Sequence, residues 1–283
     1  MLCNFLGVEI KQNADNIWIG QSRYCQRMLS EFNMSECKPV ATPMECNLKL
    51  MKASAGDSFT DKERYTSIVG ALLYLSVRTR PDIAFSVGCL AQFSSAPSEK
   101  HFIAIKRVLR YLKGTINYGI MYSQSNYKLV GYSDADFAAD VDTRKSVSGY
   151  VFLLGNGAVS WSSRKQSMVV LSSTESEYVS LCSACREAVW LGRVVSELSG
   201  SSDKSVTIYE DNKSAMCIAS NNITSSRSKH IDIKLHYVRE LIENKAVNLE
   251  YCPSELNIAD VFTKPLDRSK FVKFREMLGI FES

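Results

Sequence analysis

Gly131-Tyr132-Ser133-Asp134-Ala135-Asp136 is the stretch on which the fold turns. Alternating residues from Lys128 to Tyr132 read as a strand that delivers Asp134 at its end. Two more alternating segments follow, Ser146–Leu154 and Ala158–Ser162. A long helix is predicted from about Ser173 to Leu198, then a strand, Val206–Tyr209, and a short helix, Asn212–Ser220. A second long helix at about Lys229–Asn244, a strand at Val247–Tyr251 and a C-terminal helical stretch complete this half. Three strands, a helix and then alternating strands and helices predict a mixed five-stranded α/β sheet with flanking helices.

Acids stand where this pattern places chemistry. Asp134 and Asp211 each end a strand, Glu177 lies near the start of the long helix, and Asp260 lies near the start of the last helical stretch. Strand C-terminal ends in an α/β sheet gather such groups along one edge. Two Mg²⁺ ions held roughly 4 Å apart by carboxylates can clamp the attacking and leaving oxygens of a phosphodiester. Glu175 and Asp136 compete with Glu177 and Asp134: a glutamate at a helix start also favours the helix dipole, and either one of Asp134 and Asp136 is the strand-end ligand or both point the same way from a twisted end. Asp136 and Glu210 also read as solvated loop acids.

Upstream, Asn4–Ile10 and Ile17–Ile19 read as a β-hairpin around the polar turn Gln12–Asn16. Helical spacing follows over Gln21–Phe32, Arg64–Ser76, from Arg80 through Phe93, and Glu99–Lys113. The last carries Lys106, Arg110 and Lys113 at i, i+4 and i+7 opposite its apolar side, with Arg107 beside them and no acid expected to pair with them. That face is either a contact for a nucleic-acid backbone or a solvated surface. Ser123-Gln124-Ser125-Asn126 marks the boundary, giving domains 1–124 and 125–283.

The 283 residues carry a net charge of +4. Residues 1–125 hold 15 Lys and Arg against 10 Asp and Glu, and the remainder 19 against 20. A basic front and an acid-bearing back suit a polyanion-binding part beside a metal-binding part. No apolar run reaches transmembrane length and no secretory start is visible, so a soluble intracellular protein without membrane partners is expected. Nine cysteines lack a framework pattern, and reduced thiols are expected. Cys182 and Cys185, without a second pair, read as core thiols rather than a zinc site. His230, Asp232 and His236 read as capping and packing residues, and the triplet Asn222-Ile223-Thr224 as irrelevant without secretion. Neither a Ser/His/Asp triad nor a phosphate-binding glycine loop is present.

Tyr132-Ser133-Asp134-Ala135-Asp136-Phe137, Thr143-Arg144-Lys145-Ser146-Val147-Ser148-Gly149-Tyr150, Leu171-Ser172-Ser173-Thr174-Glu175-Ser176-Glu177-Tyr178, Glu210-Asp211-Asn212-Lys213 and Ile258-Ala259-Asp260-Val261-Phe262-Thr263-Lys264-Pro265-Leu266 together resemble the RNase H domain of copia-type retrotransposon Pol polyproteins. Phe5-Leu6-Gly7-Val8-Glu9-Ile10, Thr79-Arg80-Pro81-Asp82-Ile83-Ala84 and Leu109-Arg110-Tyr111-Leu112-Lys113-Gly114-Thr115 resemble the reverse-transcriptase segment before it. The resemblance implies an RNase H-like domain after a mainly helical palm-end, thumb and connection. It implies Asp134, Glu177, Asp211 and Asp260 as a metal-binding and catalytic tetrad for two Mg²⁺ ions, with Mn²⁺ as a substitute. The implied substrate is an RNA–DNA hybrid, cut in its RNA strand, and the implied partner is the upstream polymerase part. A cytoplasmic particle, or the nucleus, is the implied location.

Three departures stand against this. Phe137 replaces the tryptophan common at that place in the family. The family's Tyr-x-Asp-Asp polymerase motif is absent, so no DNA synthesis is expected of this chain. The loop Pro253-Ser254-Glu255-Leu256-Asn257 has no histidine where many RNases H carry one, which leaves Glu255 as a stand-in. The alternative reading is an inactive remnant that binds nucleic acid without cutting.

Overall fold

The computed structural model describes residues 3–54, 61–124, 127–220 and 232–283, apart from the side chain of Asp232. The predicted features at 222–224 and His230 lie outside the described residues. The chain forms two compact units: Met1–Asn126 with Gly155–Ala158 and Pro265–Ser283, and Tyr127–Leu154 with Val159–Lys264. The expected boundary assigned the C-terminal residues to the second domain, whereas here they group with the first.

The first unit contains an antiparallel sheet of order β1-β2-β3-β4-β10, formed by Asn4–Phe5, Val8–Gln12, Asn16–Gly20, Tyr118–Ser123 and Ile280–Glu282. The expected first strand, Asn4–Ile10, is in fact a hairpin of its own. Leu6 and Gly7 both take positive φ, 49° and 81°, and turn the chain back on itself in two residues. Asn13 fixes the next turn by accepting the N–H groups of Asp15 and Asn16. β4 and β10 were not expected. β10 follows helix α8 (Arg268–Met277) through Gly279 at φ +79° and pairs with β4. Three residues are too few to show a period, and only the partner strand defines them.

Helices α1 (Ser22–Glu31), α2 (Lys62–Arg78), α3 (Ala84–Ala91) and α4 (Glu99–Lys113) match the predicted segments within a few residues. The exception is Pro81–Ile83, a 3₁₀ turn preceding α3. Proline starts a helix readily but cannot donate from its nitrogen. At that turn Arg80 is buried and makes two bonds to Asp82, Nε–Oδ1 3.0 Å and Nη2–Oδ2 2.8 Å. It also donates to the carbonyl and hydroxyl of Thr115, and Tyr111 donates to Asp82. A buried charge is tolerable only with such full pairing. Asp82→Asn should therefore cost about 3 kcal/mol or more of stability, because it strands the Arg80 charge. Urea denaturation measures this, and a loss under about 1 kcal/mol would show the pair to be dispensable.

The second unit holds a mixed sheet of order β7-β6-β5-β8-β9: β5 is Val130–Asp136, β6 Val147–Leu154, β7 Gly157–Lys165, β8 Val206–Glu210 and β9 Val247–Tyr251. β5 runs antiparallel to β6 and parallel to β8, and β8 runs parallel to β9. Helix α5 (Ser173–Ser199) lies against the sheet, with α6 (Lys213–Ser220) and α7 (Asp232–Glu243) packed beside it. Tyr178, Leu181 and Cys185 of α5 meet Phe152, Ile208 and Val238 in one apolar cluster. Cys182 belongs to the same cluster, which gives the predicted core thiols their place. His236 is exposed on α7. Among the described residues no helix is long and apolar enough to cross a membrane.

Candidate metal centre

The parallel register assembles the centre. Tyr132 of β5 stands opposite Tyr209 of β8, and their rings stack with centroids 5.0 Å apart. Two residues further along each chain are Asp134 and Asp211. Parallel strands keep step, so both acids arrive at the same sheet edge. Asn212 accepts the N–H of Ala215 at 2.9 Å and thereby starts α6, leaving Asp211 between strand end and helix cap.

Glu177 comes from α5. Ser172 and Glu175 form that helix's cap: Ser172 Oγ accepts from the Glu175 N–H at 3.2 Å, and Glu175 Oε2 accepts from the Leu171 N–H at 2.8 Å. Glu175 is thus spent on the helix start. Glu177, two residues on, is buried, and its Oε2 has no hydrogen-bond partner. Asp134 is buried within β5, whereas Asp136 is half-exposed. Asp134, Glu177 and Asp211 each offer an oxygen, and these lie within 4.8 Å of one another.

Asp260 is buried but lies outside that trio, on the 3₁₀ turn Ile258–Phe262. Asn257 pins this turn by donating to the Ser133 carbonyl at 2.8 Å and accepting from the Ala259 N–H. Gly149, opposite Asp134 in register, makes room for it: a Cβ there would stand 2.7 Å from that of Phe262. Thr263 donates to Asp134 Oδ2. Lys264 reaches Asp260 Oδ1 at 2.6 Å and Asp134 Oδ2 at 3.8 Å, so it links Asp260 to the trio. Glu255 is exposed on the preceding turn.

Burial is the main force on these groups. It pushes the carboxyls of Asp134 and Glu177 above the usual range, the neighbouring carboxylates push further, and Lys264 opposes both. Burial disfavours the Lys264 charge, but Asp134 and Asp260 outweigh it and hold its pKa above the ordinary lysine value. Three clustered carboxylates with an unpartnered buried oxygen match what a hard divalent cation requires. The donor set therefore fits such an ion.

Sequence reasoning missed Glu210 and Lys264. Glu210 is not a solvated loop acid but is fully buried at the end of β8, where burial and then Asp211 and Asp134 raise its pKa. Its period-two spacing from Val206 and Ile208 was the available signal. Lys264 stands four residues after Asp260, the spacing of a helical ion pair. The expectation that the basic face of α4 has no acid to pair with does not hold. Arg107 pairs with Glu45 at 2.9 Å and donates to Thr42, and Arg110 donates to the Lys38 carbonyl at 2.7 Å. Both arginines hold the preceding loop. Lys106 is exposed and Lys113 half-exposed.

Relatives carry the family. Over 282 residues, 97% of its length, the chain is 38% identical to the Retrovirus-related Pol polyprotein from transposon TNT 1-94 of Nicotiana tabacum. Over 98% of its length it is 41% identical to the Retrovirus-related Pol polyprotein from transposon RE1 of Arabidopsis thaliana. The chain belongs to the copia-type retrotransposon Pol polyproteins. It spans 21% and 19% of those two relatives. A stretch of 128 residues is 57% identical to Secreted RxLR effector protein 161 of Plasmopara viticola and covers 90% of it. No protein-family model matches the chain. The structure of LC11-RNase H1 in complex with RNA/DNA hybrid aligns with 48% of this chain and 94% of that one, at 15% identity and a TM-score of 0.36. The second unit of this Pol segment has the expected α/β architecture, a mixed five-stranded sheet with flanking helices.

The raised carboxyl values have a consequence for the metal-free Pol segment. A folded-state pKa above the unfolded value of about 4 gives stability that is complete below pH 4 and is lost as pH rises through the folded value. Denaturation in the presence of a chelator should show lower stability at pH 8 than at pH 5. Millimolar Mg²⁺ should recover much of the loss at pH 8, and Glu177→Gln should flatten the chelated profile. A chelated protein equally stable at both values would contradict the electrostatic picture.

Proposed function

We propose that the RNase H-like unit hydrolyses the RNA strand of RNA–DNA hybrids, with Asp134, Glu177, Asp211 and Asp260 as its metal-binding and catalytic acids. The observation that carries this reading is the convergence of Asp134, Glu177 and Asp211 within 4.8 Å at one sheet edge. Asp134 would serve both ion positions, with Glu177 and Asp211 on one side and Asp260 on the other. Bound Mg²⁺ supplies positive charge against the charge developing on the phosphodiester and makes water a better nucleophile at neutral pH. The chain's own residues do the rest. Thr263 fixes one oxygen of Asp134, Asn257 holds the Asp260 turn against β5, and burial keeps the carboxylates from relaxing into water.

Hybrid binding falls to the sequence-basic first unit. Lys106 and Lys113 stay as phosphate-contact candidates on α4, with Arg107 and Arg110 bracing the loop that shapes that face. The upstream polymerase part of the same polyprotein is the proposed partner, in a cytoplasmic particle or in the nucleus. DNA synthesis is not proposed for this chain.

A labelled hybrid incubated with Mg²⁺ tests the reaction. The RNA strand should be cut, Asp211→Asn and Glu177→Gln should each slow cutting by about a hundred-fold or more, and Glu175→Gln should cut at nearly the wild-type rate. Equal cutting by all four proteins would discard the proposed acids. Binding without cutting would instead fit an inactive remnant. Separately, replacing Lys106 and Lys113 by Ala should lower the slope of log K against log salt by about one for each phosphate left without its lysine. An unchanged slope removes α4 from the interface.

A further inference from the structure

We propose, resting on the metal-centre reading above, that Lys264 fills the second cation position of this centre, so that the protein free of nucleic acid takes one divalent ion and a second enters only as Lys264 leaves. The two sides of Asp134 are occupied differently. On one side stand Glu177 and Asp211, with no lysine or arginine ion-paired to either among the described residues. On the other side stands Asp260, and the ammonium of Lys264 lies between the two aspartates, 2.6 Å from Asp260 Oδ1 and 3.8 Å from Asp134 Oδ2. An ion bridging Asp134 and Asp260 would need that same space and the same oxygens. Like charges also exclude each other there, more strongly than in water because both aspartates are buried.

The lysine is placed to act as an exchangeable cation. Its backbone is tied down: the Lys264 N–H donates to the Asp260 carbonyl at 3.2 Å, and Pro265 follows. Its head is not sealed in, since the side chain keeps 37% of its exposure against 1% for Asp260. A flexible stem lets the ammonium swing from the carboxylates to an arriving phosphate without moving the turn. Arriving nucleic acid would thus draw out the lysine and open the second position in the same event. Exchange of this kind would make the second ion dependent on substrate.

Titration calorimetry of Mn²⁺ into the full chain without nucleic acid tests the proposal. The wild type should bind one ion per chain, whereas Lys264→Met and Lys264→Gln should each bind two. Lys264→Arg, which keeps the charge, should stay at one. Two ions on the wild type would overturn the proposal, and so would one ion on both neutral variants. The wild-type stoichiometry decides even if a neutral variant folds poorly. Asp211→Asn is measured alongside and should lose the first ion. Unaltered binding by that variant would defeat the metal-centre reading itself, a result separate from the Lys264 comparison.

Discussion

The parallel pairing of β5 with β8 is the constraint on which the second unit depends. Tyr132 opposite Tyr209 fixes the step between the strands, and the next residues on that face are Asp134 and Asp211. A shift of one residue would turn one acid to the opposite face of the sheet. The apolar cluster under α5 resists such a shift, because Ile208 and Phe152 would lose their places against Tyr178 and Leu181. The positions of the acids are therefore consequences of core packing. The same packing seats Glu177, since the stripe that buries Tyr178, Leu181 and Cys185 turns the preceding residue toward the strand ends.

Concentrating acids in this way is costly without cations. Asp134, Glu177, Glu210 and Asp260 are all buried, and Lys264 is ion-paired to two of them, Asp134 and Asp260. Burial of carboxyls so close together disfavours their charged forms. The structure offsets this locally through Thr263 and Lys264, from the short segment 257–264 that Asn257 pins to β5 and that approaches it over Gly149. That segment is a 3₁₀ turn with its own backbone bonds, and Asn257 and Thr263 tie it to β5 through their side chains. Buried carboxyls this close together, with one lysine beside two of them, are groups that a bound cation would stabilise in their charged forms.

Much of this was legible in the sequence where periodicity is long. The limits of α4 and β9 agree with the predicted residues, and α2 and α5 differ by a few positions at their ends. Asp134, Asp211 and Glu177 could be singled out as candidates, with Asp136 and Glu175 competing, because strand ends and helix starts are local features; β5 in fact runs two residues past Asp134, to Asp136. Asp260 was identifiable as an acid but not as the partner of Lys264, since their pairing depends on how the turn meets β5. Elements that exist only through distant partners were missed: β4 and β10 define each other, and the Leu6-Gly7 turn hides inside an apolar run that reads as one strand. Charge partners across long separations were missed for the same reason, as Arg107 shows by pairing with Glu45. Glu210 was misjudged because proximity to a loop outweighed its alternation with Val206 and Ile208.

The central claim is that carboxylates from β5, α5 and the end of β8 jointly grip a divalent ion. Anomalous scattering from a crystal of the chain soaked in Mn²⁺ tests it most directly. The account predicts a strong peak in contact with oxygens of Asp134, Glu177 and Asp211. A well-ordered centre with no peak there, or Mn²⁺ bound only elsewhere on the chain, would contradict it.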